Sequence, residues 1–231
     1  MCGRYGISVT REELKEYLLE YYNIQVLEEN ITLPRYNIAP GQDAISLIND
    51  GTKYRVGLLK WGFVPSWSKD EKIGYKMINA RAETVSQKPA FKKSLIQRRC
   101  VIIADGFFEW YRTTSTKTPY YFYLKNNKIF GFAGLWTAYQ KNDGTKLYTT
   151  TIITTKANSL MKDIHDRMPV ILTEESAKLW LDPDLKDLDV LKKILVEYEP
   201  EDMELHEVSN RVNKTENDDV EIIQPIKQGI G

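Results

Sequence analysis

Removal of Met1 would leave this 231-residue chain beginning with Cys2, and one residue would then carry a free α-amine and a thiol on adjacent carbons. A second residue this small makes loss of the initiator methionine the ordinary expectation. A free α-amine titrates at about 7.7–8.0 and a thiol at about 8.5, so both have nucleophilic forms near neutral pH. The distinctive electrophile for such a 1,2-aminothiol is an aldehyde. The amine condenses to a Schiff base, the thiolate closes on the same carbon, and a five-membered thiazolidine results. Imine formation is ordinary covalent catalysis; the second nucleophile makes the adduct durable. Position alone favours a blander reading, a small residue at a loose terminus.

The elements that would position such a residue can be read from periodicity. Thr10 and Glu13 have capping-box spacing, and Leu14, Tyr17, Leu18 and Tyr21 follow at helical intervals, which predicts a helix over 11–22. Residues 44–48 and 54–59 flank Asn49-Asp50-Gly51 and predict a hairpin. Residues 120–124 and 129–135 around Asn126-Asn127 predict a second. Asn142-Asp143-Gly144 leads into a β-branched run over 148–154. Further helices are expected over 88–96, 157–163, 174–180 and 185–196. Hairpins with helices around them read as one α+β domain spanning 1–231, with mostly antiparallel sheet.

Composition narrows the function classes. Hydrophobic residues make up 42% and charged residues 28%, a globular rather than disordered profile. The two cysteines, Cys2 and Cys100, exclude a disulfide framework and a CxxC-type zinc site and fit a reducing compartment. Cys100 reads as a small buried hydrophobe. His165 and His206 are the only histidines, which argues against a multi-histidine metal centre; no metal or cofactor is expected. No stretch approaches the ~18–20 apolar residues of a membrane span, and the N-terminus lacks a signal-peptide layout, so a cytoplasmic address is expected. Net charge is zero but unevenly spread. Residues 1–181 hold 26 basic and 18 acidic side chains, residues 182–221 hold 5 and 14, and Lys227 restores the balance. The neutral total therefore leaves a polyanionic ligand open for the first 181 residues.

Several segments join special backbone residues to reactive or aromatic ones. They are Met1-Cys2-Gly3-Arg4-Tyr5, Arg35-Tyr36-Asn37-Ile38-Ala39-Pro40, Trp61-Gly62-Phe63-Val64-Pro65-Ser66-Trp67 and Asn79-Ala80-Arg81-Ala82-Glu83. Arg99-Cys100, Asp105-Gly106-Phe107-Phe108-Glu109-Trp110, Ala133-Gly134-Leu135-Trp136 and His165-Asp166-Arg167-Met168-Pro169 follow. In this order they closely resemble the SOS response-associated peptidase family, from residue 1 to about residue 219. The resemblance implies a curved, barrel-like, mostly antiparallel sheet with peripheral helices and a basic groove. It also implies a protein that recognises abasic sites in single-stranded DNA and crosslinks to them through a thiazolidine at the N-terminal cysteine; a monomer is expected. Strand cleavage through the same Schiff base and self-removal of Met1 are associated activities it suggests.

The family's active-site roles fall here on Cys2, Asn79, Glu109 and His165, and each has a chemical reason. A placed proton donor or acceptor contributes roughly 10²–10⁴-fold to such steps. Glu109 sits among Phe107, Phe108 and Trp110, where desolvation would raise its pKa and suit it to ring opening and proton shuttling. His165 could serve the departing hydroxyl, and Asn79 could hold the amine or a sugar hydroxyl. Singly, each could instead be structural. Arg4, Arg81 and Arg167 are candidate phosphate ligands. Pro40, Trp67 and Trp110 are candidate stacking or wedging surfaces, whereas Trp61 and Trp136 read as core. An amidohydrolase or peptidase using the Cys2 thiolate remains the alternative, and a non-catalytic nucleic-acid-binding module a weaker third.

Overall fold

A computed structural model describes residues 2–126 and 128–226. Met1, the Asn127 half of the expected Asn126-Asn127 turn, and Lys227 lie outside the described residues. In chain order the elements are β1 (Tyr5–Ile7), α1 (Arg11–Tyr22), β2 (Arg35–Ile38), β3 (Asp43–Asn49), β4 (Tyr54–Trp61), β5 (Asn79–Arg81), α2 (Pro89–Gln97) and β6 (Arg99–Ala104). There follow β7 (Gly106–Arg112), β8 (Lys117–Leu124), β9 (Phe130–Gln140), β10 (Lys146–Lys156), β11 (Arg167–Pro169) and β12 (Ile171–Leu172). The chain finishes with α3 (Glu174–Leu181), α4 (Leu188–Ile194) and β13 (Met203–Glu207). The architecture is the expected α+β one.

Two sheets organise the molecule. In the larger, β10 pairs with β9, β9 with β6, β6 with β3 and β3 with β4, all antiparallel; β4 then returns to β10 in parallel at Thr149↔Lys60 and Thr150↔Trp61. This closes a ring of five strands and removes their free edges. Trp61, Phe63, Leu135, Ile152 and Trp180 are buried in the core. The second sheet has the order β13-β8-β7-β1-β2 and is antiparallel throughout.

The N-terminal strand is fixed at its far end by a buried carboxylate. Asp105 accepts from the backbone N–H of Ser8, from Ser8 Oγ at 2.7 Å and from the Val9 N–H at 3.0 Å. Tyr121 crosses the next residue so closely that a Cβ on Gly106 would lie 2.0 Å from its hydroxyl oxygen. Glycine is therefore required between Asp105 and Phe107. Past Val9 the expected capping box starts α1: Thr10 Oγ1 accepts from the Glu13 N–H at 3.2 Å, and Glu13 Oε2 from the Thr10 N–H at 2.7 Å.

Three local expectations are corrected. Residues 120–124 and 129–135 do not form a hairpin, because β8 is already paired on both sides by β7 and β13, while β9 belongs to the ring. Residues 157–163 form turns instead of a helix. Asn158 Oδ1 accepts from the Met161 N–H at 3.1 Å and its Nδ2 reaches Tyr198 O at 2.8 Å, a local alternative to helical bonding. The expected 185–196 helix is only Leu188–Ile194, begun by Asp187 accepting from the Asp189 and Val190 N–H groups.

Candidate active site

The site lies where the two sheets meet, and strand register explains why. Tyr5 faces Phe107 and Arg4 O accepts from the Phe108 N–H at 2.9 Å, so the chain before β1 runs back alongside Glu109 and Trp110. β5 lies against the C-terminal part of β10 (Ile152↔Asn79, Thr154↔Arg81), and β11 pairs with the same stretch (Thr154↔Pro169, Lys156↔Arg167). Asn79 and the segment after His165 are thus held on either side of one strand. Asn79 Nδ2 donates to Cys2 O at 2.8 Å. Its Oδ1 is buried with no partner among the described residues, an acceptor held ready. Gly3, Arg4, Glu109, Trp110, His165 and Asn213 line a cavity of 530 Å³.

Its electrostatics are set by burial. Glu109 is only 3% exposed, and desolvation pushes its pKa up to about 7. Cys2 is fully buried, and its thiol is pushed above the ordinary range by burial and then by the Glu109 charge. Burial lowers the His165 pKa. His165 Nδ1 lies 2.9 Å from the Arg167 backbone N and 3.2 Å from Arg167 O. The shorter contact admits one direction, since an amide N–H only donates. In the neutral ring this makes Nδ1 the acceptor and puts the proton on Nε2, whereas a protonated ring would set its Nδ1–H against Asp166 Oδ1, 3.1 Å away.

The other expected contacts divide. Arg4 Nη1 donates to Asn37 Oδ1 at 2.7 Å and Val212 O at 2.6 Å, and its guanidinium lies 5.9 Å from the Trp110 ring centre. Trp110 Nε1 donates to Asn213 Oδ1 at 2.8 Å. Arg81 is exposed at the end of β5. Arg167 is otherwise placed than a free phosphate ligand would be. It is buried and donates to both Glu83 oxygens, at 2.6 and 2.9 Å, and to Thr154 O at 2.6 Å. Its Nη atoms are thus engaged within the chain, while its Nε has no partner among the described residues.

Pro40 and Trp67 are not in the cavity wall. Pro40 follows β2, whose Ile38 faces Tyr5, and so lies toward the Cys2 end of the sheet. Trp67 is 64% exposed on the 62–78 loop. That loop is pinched at its base, where a Cβ on Gly62, at φ +134°, would lie 2.9 Å from Gly74 O. Trp61 is core, with Nε1 donating to Ile78 O at 2.9 Å. Trp136 is only half buried, with the Arg98 guanidinium 5.2 Å from its ring centre. Cys100 is fully buried against Thr150 Oγ1 at 3.3 Å.

Sequence reasoning missed four residues here. Asn37 Nδ2 donates to Asn217 O at 2.6 Å and Lys214 O at 3.0 Å, tying the C-terminal strap beneath Arg4. Asn213 enters the wall on that strap. Arg112 and Lys117 face each other across the β7–β8 hairpin and also line the cavity. A basic pair closing a hairpin next to Glu109 was the available signal; Asn213 gave none, since only the fold brings it there. Among the described residues no group of three or more His, Cys, Asp or Glu side chains could hold a metal, and no helix is long and apolar enough to cross a membrane.

Known proteins resemble this chain over nearly its whole length. The chain is 50% identical over 226 residues to abasic site processing protein YoqW of Bacillus subtilis, covering 97% of this chain and 99% of that one. It is 32% identical to abasic site processing protein HMCES of Xenopus tropicalis, covering 98% and 78%. A crystal structure of a Bacteroides thetaiotaomicron protein superposes with a TM-score of 0.83 at 28% identity, covering 97% and 99%. The family model described as SOS response associated peptidase matches residues 1–215, and the chain belongs to that family.

Proposed function

We propose that this chain processes abasic sites in single-stranded DNA, linking Cys2 to the ring-opened deoxyribose as a thiazolidine once Met1 is gone. One observation carries the reading: Asn79 fastens the Cys2 carbonyl beside Glu109, a carboxyl whose pKa burial brings to about 7. Such a group is populated in both forms near neutral pH and can give and take protons in one cycle. The names of the relatives, abasic site processing proteins, support the same substrate.

In this mechanism the Glu109 carboxylic acid protonates the sugar ring oxygen as C1′ opens to the aldehyde. The Cys2 amine adds to C1′, and the carbinolamine hydroxyl leaves as water with a proton from the Glu109 carboxyl, which the C1′ hydroxyl proton restored on ring opening, while the His165 Nε2–H donates a hydrogen bond to the departing oxygen. The thiol then adds to the carbon of the resulting iminium, its proton passing to the Glu109 carboxylate, and the nitrogen keeps its remaining hydrogen. Arg4 and Arg81 face the phosphates, and Trp110, Trp67 and Pro40 meet the neighbouring bases or sugars. Burial that keeps the thiol protonated counts against a peptidase led by the Cys2 thiolate; the amine leads instead. A duplex would hold the sugar away from a cavity between two sheets, and extrusion costs a few kcal/mol. The test is a denaturing gel of the protein with the same abasic strand, single or annealed. A heat-stable shifted band forming faster on the single strand is expected. No band with intact Cys2, or equal rates on both substrates, overturns the reading.

A further inference from the structure

The cavity holds a second amine that the thiazolidine chemistry does not use. Lys117 opens β8 opposite Arg112 and lines the cavity with Glu109 and His165. Its Nζ lies 4.7 Å from the centre of the Trp110 ring, on an indole that Asn213 fixes from the strap. In its charged resting form the amine is thus held over the Trp110 ring, beside the proton-handling groups, by a cation–π attraction that lapses when the proton leaves. No ion pair with an acidic side chain is found for it among the described residues.

We propose that Lys117 is a second Schiff-base nucleophile for the abasic aldehyde, giving strand cleavage independent of the Cys2 thiol. The inference rests on the abasic-site reading above. Although Lys117 is exposed, slight desolvation and then the Arg112 and Arg4 charges lower its pKa, with Glu109 opposing, so more of the amine is neutral than in a lysine without those neighbours. The Nζ lone pair forms a bond to C1′ of the open sugar. The carbinolamine hydroxyl departs as water, taking a proton from the Glu109 carboxyl, and leaves a protonated C1′=N imine. The Glu109 carboxylate removes a C2′ proton. The C3′–O bond breaks with its electron pair on the departing phosphate, and water hydrolyses the conjugated imine to release Lys117. Atoms and electrons balance without a further reagent. The step would also be open to a chain that still carries Met1, in which the Cys2 nitrogen is an amide.

The test is borohydride trapping on abasic single-stranded DNA, with the reduced adduct located by peptide mass spectrometry. Cys2→Ala is used because it cannot form the thiazolidine, although its α-amine can still form an imine. A trapped adduct on the Lys117 peptide is expected, absent in Cys2→Ala/Lys117→Arg, which keeps the charge but not the nucleophile. Adducts confined to residue 2, or spread over exposed lysines such as Lys125 and Lys128, overturn the proposal. Wild-type protein run alongside separates the two failures. Its heat-stable crosslink without a Lys117 adduct in the variant sinks this inference alone, whereas its absence sinks the abasic-site reading first.

Discussion

The two cysteines sit in different parts of one core and show what the seam between the sheets adds to plain burial. Cys100 lies in the closed ring, facing Gly134 on β9, with Thr150 as its polar contact. Cys2 lies at the meeting of ring and second sheet, with Asn79 from one and Glu109 from the other. Both are fully buried, and burial raises both thiol pKa values. Burial therefore does not distinguish a reactive cysteine from an inert one; neighbours do. Among the described residues a buried side-chain atom without a partner occurs on the ring too, at Thr151 Oγ1, but at the seam Asn79 Oδ1 and Arg4 Nε lie near Cys2 and Glu109. Unsatisfied atoms beside a cavity suit a ligand that completes them.

The strongest way to break this comparison is to exchange the roles. Cys2→Ala should abolish the heat-stable crosslink and, as an equally buried truncation, lower the melting temperature about as much as the change at Cys100 does. Cys100→Ala should crosslink normally and lose stability, by about 1–3 kcal/mol for a truncated core side chain. Denaturing gels and thermal melts of both variants check this, and full crosslinking by Cys2→Ala would end the assignment. Next in size is Glu109→Gln, which keeps the shape but not the proton. Crosslinking should slow by roughly 10²–10⁴-fold with binding almost intact; an unchanged time course removes Glu109 from the mechanism.

The same substitution sharpens the contrast through stability. A carboxyl raised to about 7 in the folded chain binds its proton more tightly than in the unfolded chain. Its contribution is most favourable below the unfolded value of about 4.3 and is lost as pH rises through the folded one. Glu109→Gln should thus gain melting temperature over the wild type at pH 8 and little at pH 4. A difference independent of pH would contradict the buried-carboxyl account. The smallest expected effect separates the arginines. Arg81→Ala should flatten the dependence of log affinity on log salt by about 0.7 for one lost single-strand phosphate contact. Arg167→Ala should lower the melting temperature and spare that slope, because its charge is spent on Glu83. A slope change equal to that of Arg81→Ala would return Arg167 to the phosphates.

The sequence was most readable where local chemistry determines structure. The Thr10/Glu13 cap, the Asn49-Asp50-Gly51 hairpin and the core role of Trp61 each follow from neighbours in the chain. Pairing between distant segments was less readable: β8 and β9 look like hairpin partners, but β13 holds the other edge of β8 from nearly 80 residues away. The site divides in the same manner. Cys2, Asn79, Glu109 and His165 were nameable from residue type and resemblance, and the fold brings them together. Asn37 and Asn213 act through the strap that follows β13, which no local pattern ties to Arg4 or Trp110. Arg167 is the reverse case: its type suggested phosphate, and nothing in the sequence signalled its pairing with Glu83, 84 residues away.

The central claim is that Cys2, released from Met1, closes a ring on an abasic aldehyde. Intact-mass spectrometry after incubation with an abasic single-stranded oligonucleotide tests it most directly, followed by peptide mapping of the product. The account predicts one heat-stable adduct equal to the chain without Met1 plus the oligonucleotide less one water, located on residue 2 and formed without reductant. An adduct retaining Met1, an adduct located elsewhere, or no adduct with Cys2 free would contradict it.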